Sequence, residues 1–229
     1  MAKKHLKTLT IPIMWPIKRK GRTFVIRPFP GKKLAMSMPL SLILKDVLGY
    51  CKTSKEVRAL LRDKEIQVDG KRRKEEKYLV GIMDILSIPL TNEHFRMEIS
   101  RNKKLMLVKI DEKEASQKIL KITSKTTLKK GLTQLNLFDG RNILVKKDNY
   151  KIGDSVVIKI PSQEIAEHLK LEKGAYVYII EGGHAGYHGT IEEIAEDVLK
   201  IKSDKETIIT PKKTVYVIGK DKPMIKMHD

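Results

Sequence analysis

The first 45 residues carry eleven lysine and arginine side chains and no carboxylate, because the first acidic residue is Asp46. Five prolines interrupt the same stretch, so no regular helix can run through it, and it cannot bury much apolar surface unaided. Its like charges repel one another, which opposes compaction. We therefore predict that residues 1–38 form an extended basic arm, largely disordered in the free chain, that orders when its charges meet an anionic partner.

The charge of the whole chain points to the class of that partner. The 229 residues include 47 Lys and Arg against 28 Asp and Glu, a formal net charge of +19. Nucleic acid is the first candidate. An anionic membrane surface is a weaker one, because we find neither an apolar segment of bilayer length nor a basic amphipathic helix. The single cysteine, Cys51, cannot form a disulfide within the chain, and we expect a reducing, cytoplasmic location.

Three aromatic residues, Trp15, Phe24 and Phe29, lie among the cations of the arm. Such rings either stack on exposed bases of RNA or anchor the arm on the protein's own core, and the sequence leaves both possibilities open. We include Trp15 with the cations as a candidate for RNA binding. The candidate set in the arm is Lys3, Lys4, Lys7, Trp15, Lys18, Arg19, Lys20, Arg22, Arg27, Lys32 and Lys33.

Residues 39–95 have the pattern of a small domain with two helices and a hairpin. Residues 40–48 place apolar side chains on one helical stripe, and Thr53 with Glu56 forms a capping-box signature for a second helix. Asp69-Gly70 is a strong signal for a two-residue hairpin turn, and basic residues crowd that turn. We expect the helix and the hairpin to share one phosphate-binding face, made of Arg58, Arg62, Lys64, Lys71, Arg72, Arg73 and Lys74.

This arrangement resembles the small RNA-binding domain shared by bacterial ribosomal protein four, some pseudouridine synthases and tyrosyl-tRNA synthetases. In that family a helix pair and a hairpin with a V-x-[ND]-G-K turn bind folded RNA, and "VDGK" at 68–71 matches that turn. The resemblance implies structured RNA as the ligand. It also keeps open a function of another class, an RNA-modifying enzyme similar to a pseudouridine synthase, which would need a catalytic Asp in a separate domain.

Residues 96–172 show no long helical period, and we predict a mainly β domain. Strands are expected at 103–110, 141–147 and 154–160, and a helix is expected at 112–122, "EKEASQKILKI". Asp139-Gly140 before an apolar run is typical of a hairpin turn, so we do not take Asp139 as catalytic. The region offers no convergent set of polar residues for chemistry.

A glycine-rich stretch, "EGGHAGYHG" at 181–189, connects two predicted strands at 176–180 and 190–194. A phosphate-binding loop would need a Lys-Ser/Thr pair opening a helix, and the sequence has neither. His184 and His188 have no third metal ligand nearby, and no Ser or Cys nucleophile accompanies them. We therefore predict no catalytic residue, no metal and no cofactor, and we interpret the stretch as a glycine turn between barrel strands.

The turn resembles the KOW motif, a short element of small SH3-like barrels in ribosomal proteins and transcription elongation factors. The glycines that carry the resemblance are Gly182, Gly186 and Gly189, whereas Ala185 and Tyr187 stand where that family often has basic residues. Residues 173–198 hold one basic residue against five acidic ones. We expect this barrel to add little electrostatic attraction for RNA, and its acidic strand to face solvent or a basic protein.

Along essentially its whole length the chain is similar to one family, the small-subunit ribosomal proteins of the four-e type found in archaea and eukaryotes. The motifs, in order, are "WPIKRKGRTFVIRPFPGKK", "PLSLILKD", "VDGKRR", "GIMD", "FDGR" and the KOW-like loop. The resemblance implies a structural constituent of the small ribosomal subunit with its N-terminal segment embedded in ribosomal RNA. It implies no catalytic site, so the pseudouridine synthase-like enzyme becomes the alternative.

The expected fold is α+β and multidomain. Its parts are an extended basic arm (1–38), a helix-pair and hairpin RNA-binding domain (39–95), a mainly β central domain (96–172), an SH3-like barrel with a KOW motif (173–212), and a C-terminal strand and tail (213–229). The expected partners are small-subunit ribosomal RNA and neighbouring small-subunit ribosomal proteins. We expect no membrane partner and no small-molecule substrate.

Overall fold

The structure, a computed structural model, describes residues 5–146, 148–203 and 206–227, without the side chain of Lys130. The chain is mostly β with few helices, and it divides into two compact units. Unit 1 comprises Met1–Ile99 and Lys103–Ala115, and unit 2 comprises Ser100–Asn102 and Ser116–Asp229. Among the described residues, no helix is both long and apolar enough to cross a bilayer.

Unit 1 is built on a five-stranded antiparallel sheet in the order β5-β4-β7-β8-β9, with two further strand pairs, β1-β2 and β3-β6. The strands are β1 Leu6–Lys7, β2 Phe24–Val25, β3 Ser37–Pro39, β4 Gln67–Val68, β5 Lys71–Arg72, β6 Leu79–Gly81, β7 Ile85–Ile88, β8 Glu93–Ile99 and β9 Leu105–Ile110. The helices are α1 Leu40–Leu42, which continues as a π-helical turn at Ile43–Val47, α2 Ser54–Asp63 and α3 Glu112–Ala115.

The boundary expected between residues 95 and 96 falls inside strand β8. That strand pairs with β7 on one side and with β9 on the other, so residues up to Ile110 extend the sheet of the hairpin. The sequence suggested a new domain because the helical pattern stops before this point. The hydrogen-bonded sheet continues past it, and the small domain is larger than predicted.

The two predicted helices of the small domain are present, with one difference in geometry. The first begins after Pro39 and widens into the π turn, where the Leu48 amide donates to the Ile43 carbonyl at 2.9 Å. The second has the expected capping box, because the Thr53 hydroxyl accepts from the Glu56 amide at 3.2 Å. The Glu56 carboxylate in turn accepts from the Lys52 amide, and this hydrogen bond lowers the pKa of Glu56.

The basic arm is folded onto unit 1, and the prediction of a largely disordered segment is wrong for residues 5–38. Ile11, Trp15 and Val25 are buried, and β1 pairs with β2 to close the arm into a loop. The Trp15 indole N–H donates to the carbonyls of Ser37 at 2.8 Å and Leu34 at 3.3 Å. A few apolar anchors therefore hold a segment whose charge alone predicted an open chain.

Unit 2 contains two five-stranded antiparallel sheets. The first has the order β12-β11-β10-β13-β14, with β10 Gln117–Thr127, β11 Thr133–Leu137, β12 Asn142–Val145, β13 Ser155–Lys159 and β14 Ile165–Leu169. The second has the order β18-β17-β16-β15-β19, with β15 Tyr176–Ile179, β16 His188–Ile194, β17 Val198–Lys202, β18 Thr207–Pro211 and β19 Val215–Gly219. In the second sheet, four strands form a meander and the last returns beside the first.

The helix predicted at 112–122 is wrong beyond its first turn. Only Glu112–Ala115 is helical, and the apolar residues that follow belong to β10. This strand lies between β11 and β13, and residues 118–122 are buried on both faces. Because both faces are covered, the strand lacks the alternation that would have distinguished it from a helix.

The segments expected as separate modules at 96–172, 173–212 and 213–229 are not separate within unit 2. The Lys121 ammonium donates to the carbonyls of Lys212, Lys213 and Val215 at 2.7–2.9 Å, linking the first sheet to the chain entering β19. The Val217 amide also donates to the Ser155 hydroxyl at 3.2 Å. The last strand is thus an integral part of the second sheet, and the two sheets share one unit.

Candidate nucleic-acid interface

The hairpin turn fixes the position of its basic residues. Asp69 and Gly70 both adopt positive φ angles, 52° and 69°, the geometry of the tightest hairpin turns. The Asp69 amide donates to the Ile85 carbonyl at 2.8 Å, and its carboxylate accepts from the Ile85 amide at 3.0 Å. The turn is therefore fastened to the neighbouring strand, and Lys71 follows it in register with Val68.

The hairpin and helix α2 are joined at their basic ends. The Arg72 guanidinium donates to the Arg62 carbonyl at the end of α2 at 2.9 Å. Arg58, on the same helix, lies 3.6 Å from Glu76 on the segment that leaves the hairpin. The cations proposed for this face therefore do lie on adjoining elements.

The arm reaches the same region at Phe29, and a second cation–ring contact lies within the segment that follows the hairpin turn. The Phe29 amide donates to the Lys77 carbonyl at 3.1 Å, and the Lys77 ammonium lies 5.4 Å from the centre of the Phe29 ring. The Arg73 guanidinium lies 4.3 Å from the centre of the Tyr78 ring, which places it over the ring face. Residues 27–33 thus run beside the segment that follows the hairpin.

Lys77 and Tyr78 were missed by the sequence analysis. Their only signal was the alternation of cations and rings in "RRKEEKY" at 72–78, which the two glutamates obscured. The structure shows that these two residues connect the arm to the hairpin, whereas each alone looks like an ordinary surface residue.

Most of the candidate cations are exposed. This holds for Lys7, Lys18, Arg19, Lys20, Arg27, Lys33, Arg58, Arg62, Lys64, Lys71, Arg72 and Lys74, while Arg22, Lys32 and Arg73 are half-buried. Lys3 and Lys4 lie outside the described residues. The exposed set can meet phosphates without any rearrangement of the fold.

Trp15 requires a correction. It is 1% exposed, and its indole N–H is engaged with backbone carbonyls of the protein, so the ring is not available to stack on a base. Of the two roles that the sequence left open, the structure places Trp15 in the core. Phe29, 48% exposed, is the aromatic side chain of the arm that stays accessible beside the hairpin.

Lys32 and Arg22 also differ from the prediction of free phosphate ligands. The Lys32 ammonium forms an ion pair with the buried carboxylate of Asp84, which also accepts from the Gly81 amide at 2.7 Å. Arg22 forms an ion pair with Asp46 at 3.2 Å. Removing the Lys32 cation would take an ion-pair partner from a buried carboxylate, so this lysine has a structural role.

A second group of arm cations surrounds a shallow groove of about 510 Å³. Its lining includes Lys18, Lys20, Arg22 and Lys45, with Asp46 as its carboxylate. Because the acidic group is already paired with Arg22, the remaining lysines give this groove a positive character. It is suited to a phosphate group of a folded RNA.

The glycine stretch is the turn between β15 and β16, as predicted. Gly182 and Gly186 have φ angles of 94° and 92°, which favour glycine. A Cβ at Gly186 would lie 2.4 Å from the Ser100 carbonyl oxygen, and one at Gly189 would lie 2.2 Å from that of Lys202. These positions need glycine because other backbone segments approach them closely.

The two histidines of this stretch have different surroundings. His188 is buried in β16, and its Nδ1 lies 2.6 Å from the Tyr176 hydroxyl, whereas His184 packs edge-on against Tyr187. Both contacts are internal to unit 2. His188 is therefore a packing residue, whereas His184 stays exposed on the turn.

Three family models match the sequence. They are ribosomal family S4e over residues 91–165, the RS4NT (NUC023) domain over residues 2–31, and the S4 domain over residues 38–86. In chain order, the matched segments cover the arm, the hairpin domain and the strands from β8 to β13.

Relatives match the chain over nearly its full length. Small ribosomal subunit protein eS4 of Methanocaldococcus jannaschii is 38% identical over 240 residues, covering 98% of this chain and 98% of the relative. That of Methanosphaera stadtmanae is 37% identical over 233 residues, covering 99% and 96%. The crystal structure of 30S ribosomal protein S4e from Thermoplasma acidophilum superimposes with a TM-score of 0.71 at 30% identity, covering 80% of this chain and 95% of that one. The chain belongs to the ribosomal S4e family.

Proposed function

We propose that this protein is a structural constituent of the small ribosomal subunit and that it binds ribosomal RNA through unit 1. The observation that carries the proposal is the adjoining placement of α2, the hairpin and residues 27–33, whose exposed cations surround Phe29 and Tyr78. Family membership supports the same conclusion. The matched models describe a ribosomal protein family and an S4 domain, which gives the pseudouridine synthase-like alternative no support.

The mechanism is neutralisation of phosphates by a preformed set of cations. Each lysine or arginine that contacts a phosphate releases a condensed counterion, so affinity falls steeply with salt. About ten such contacts would lower affinity by roughly three to five decades between 50 and 200 mM salt. Phe29 adds a contact of another kind, because an exposed ring beside a cation can stack on an unpaired base.

The second sheet of unit 2 acts as an SH3-like barrel that carries a KOW-type turn. Three features support this assignment: the meander with its returning strand, the glycine spacing, and the close backbone approaches at Gly186 and Gly189. Its acidic residues make it a poor phosphate binder, so its partner is a basic surface of a neighbouring ribosomal protein. The protein would then act in the cytoplasm, as part of the ribosome.

The hairpin face is tested by single substitutions of exposed cations. Arg62→Ala and Lys71→Ala should each weaken binding to a transcribed archaeal small-subunit ribosomal RNA, and each should lower the slope of log affinity against log salt by about one. These two are preferred to Arg73, whose stacking on Tyr78 would mix folding with binding. Filter binding at several salt concentrations measures the slope.

Lys109→Ala is the matched control, because Lys109 is 66% exposed on β9 and pairs with Glu93 rather than lying at the hairpin. Its slope should equal that of the unaltered protein. An unchanged slope in both Arg62→Ala and Lys71→Ala would remove the hairpin from the interface. Failure of the unaltered protein to co-sediment with small subunits after a moderate salt wash would overturn the proposed function itself.

A further inference from the structure

Strands β10, β11 and β12 of unit 2 present an exposed face made almost entirely of neutral polar side chains. The outward residues form two cross-strand rows in register, Ser124–Asn136–Asn142 and Thr126–Gln134–Leu144. The opposite face packs on the core through residues such as Leu135 and Leu137. This face is therefore the exposed side of the sheet. Its neutral polar composition differs from the charged surface that is common on soluble proteins.

The polar groups of the face are held in fixed positions. The Asn136 side-chain amide donates to the hydroxyls of Ser124 at 2.9 Å and Thr126 at 3.2 Å. The Gln134 amide donates to the Asn136 side-chain oxygen at 2.7 Å. Leu144, 58% exposed, lies in the same row as Gln134 on the edge strand β12. A connected set of amides and hydroxyls beside an exposed apolar group is suited to a ligand with both hydroxyls and flat rings.

Basic residues outnumber acidic residues around this face. Residues 117–147 contain eight basic residues and one acid, Asp139. The Asp139 carboxylate already has two cationic partners, because it accepts from Lys118 at 3.1 Å and from Arg141 at 3.0 Å. Asp148, next in the chain, pairs with Lys125 at 2.6 Å. Residues 117–147 therefore offer no further carboxylate to Lys129 and Lys146.

Two of those lysines lie at one end of the face. Lys129 stands in the turn between β10 and β11, and Lys146 directly follows β12. Thr133 pairs with Val145, so both lysines lie near the same end of the ladder. Both are exposed, and each is followed by a second lysine in the sequence. The end of the sheet thus carries cations while its face carries neutral hydrogen-bonding groups.

We propose that this polar face of β10, β11 and β12 is a second RNA-contact surface, formed by unit 2 and additional to the interface on unit 1. Lys129 and Lys146 contact phosphates, and Gln134 hydrogen-bonds to ribose 2′-hydroxyls or base edges, which is the chemistry that distinguishes RNA from DNA. A basic protein is a poor occupant because the region is itself basic. An acidic protein could pair with the lysines, but it would not account for the rows of neutral amide side chains. The proposal rests on the proposed function, since it takes ribosomal RNA as the ligand.

The test uses the full chain and a transcribed archaeal small-subunit ribosomal RNA. The double variant Lys129→Ala/Lys146→Ala should lower the salt slope by about 1.4 to 1.8, which corresponds to an affinity loss of about 25- to 60-fold at 0.1 M salt that disappears toward 1 M. The matched control is Lys159→Ala/Lys170→Ala, which removes two exposed lysines, one at the last position of β13 and one directly after β14. Its slope should stay close to that of the unaltered protein.

A second variant, Gln134→Val, separates hydrogen bonding from charge. Valine keeps the strand propensity and removes the amide, so affinity for RNA should fall by roughly 3- to 10-fold with an unchanged salt slope. The preference for RNA over a DNA strand of the same sequence should fall by the same factor. Circular dichroism melting of each variant confirms that unit 2 stays folded.

The possible results distinguish the second RNA-contact surface from the proposed function. If the unaltered protein binds the transcript but the lysine double variant keeps its slope, the second surface is rejected and the proposed function stands. If the double variant binds RNA normally yet no longer co-sediments with small subunits, the face contacts a protein and the proposal is equally rejected. If the unaltered protein does not bind the transcript, both conclusions fall together.

Discussion

The acid-free basic segment and the glycine stretch are the two most unusual parts of this sequence, and they owe their composition to opposite causes. In the segment, most of the basic side chains are exposed, and buried apolar residues, above all Trp15, hold the backbone that carries them. In the glycine stretch, the missing side chains matter, because other backbone segments approach Gly186 and Gly189 too closely for a Cβ. An unusual composition therefore indicates a binding surface only where the unusual groups stay exposed.

Removing the anchor of the basic segment should give the largest effect. Trp15→Ala should destabilise unit 1 by about 3–5 kcal/mol, because it leaves a large cavity and takes the hydrogen-bond donor from the carbonyls of Ser37 and Leu34. Urea unfolding measures the loss. The freed segment should also become sensitive to trypsin at Lys18 and Arg19.

Phe24→Ala provides the control for that prediction. Phe24 is 56% exposed and contacts His5, so its truncation should change the stability by less than about 1 kcal/mol. Equal effects of the two substitutions would mean that the segment is held by its aromatic residues collectively. The contrast between one buried anchor and exposed side chains would then be lost.

The glycine stretch is tested by adding a Cβ to one of its glycines. Gly189→Ala should destabilise unit 2 by about 3 kcal/mol, because the new Cβ would meet the Lys202 carbonyl oxygen and push β16 away from β17. Thermal unfolding reports the loss. At a temperature where the variant is folded, its salt slope for RNA binding should not change, since no cation is removed.

Gly183→Ala is the matched control within the same turn, because a Cβ there meets nothing within 4 Å. Its stability should stay within about 0.5 kcal/mol of the unaltered protein. A lower salt slope in Gly189→Ala would show that the turn takes part in binding phosphates, which would contradict the distinction between the two regions.

Lys121, a buried cation in unit 2, extends the comparison between exposed and buried groups, because it serves folding rather than binding. Burial lowers the pKa of Lys121 from its ordinary 10.5 to about 8, opposed by the charge of Glu181. The unfolded chain therefore holds more protons than the folded one between pH 8 and 10.5, and this lysine makes the folded state more stable as the pH rises through that window.

The free energy of unfolding should rise by about 3 kcal/mol over that window, because each unit of pKa difference corresponds to about 1.4 kcal/mol. The measurement is the difference in unfolding free energy between the unaltered protein and Lys121→Met at several pH values, which cancels the titration of the other groups. Lys125→Met is the control, since Lys125 is half-buried at the sheet surface and pairs with Asp148. A difference that falls with rising pH would contradict the sign derived from burial.

Local signals in the sequence predicted local structure well. Thr53 and Glu56 predicted the start of α2, and Asp69-Gly70 predicted the hairpin turn, because in each case the residues that decide the geometry are neighbours. The glycine turn between β15 and β16 was predicted for the same reason. The exposure of the cations on α2 and the hairpin followed from these elements.

Features that depend on distant partners could not be predicted. Residues 117–122 look helical until β13 pairs along most of the segment and both faces of the strand are buried. Trp15 could stack on RNA or fill the core, and only the position of the Ser37 carbonyl decides between the two. Lys32 looks like a free cation until Asp84, far along the chain, is placed beside it.

The fastening of Asp69 to Ile85 has a consequence for how this protein can change. Because the amide and the carboxylate of Asp69 are both engaged with the neighbouring strand, these contacts hold the backbone of the turn whatever side chains stand at positions 71 and 74. The side chains at positions 71 and 74 can then be replaced without moving the backbone of the hairpin tip. Substitutions at these two positions can then change the exposed charge of the tip at little cost to folding.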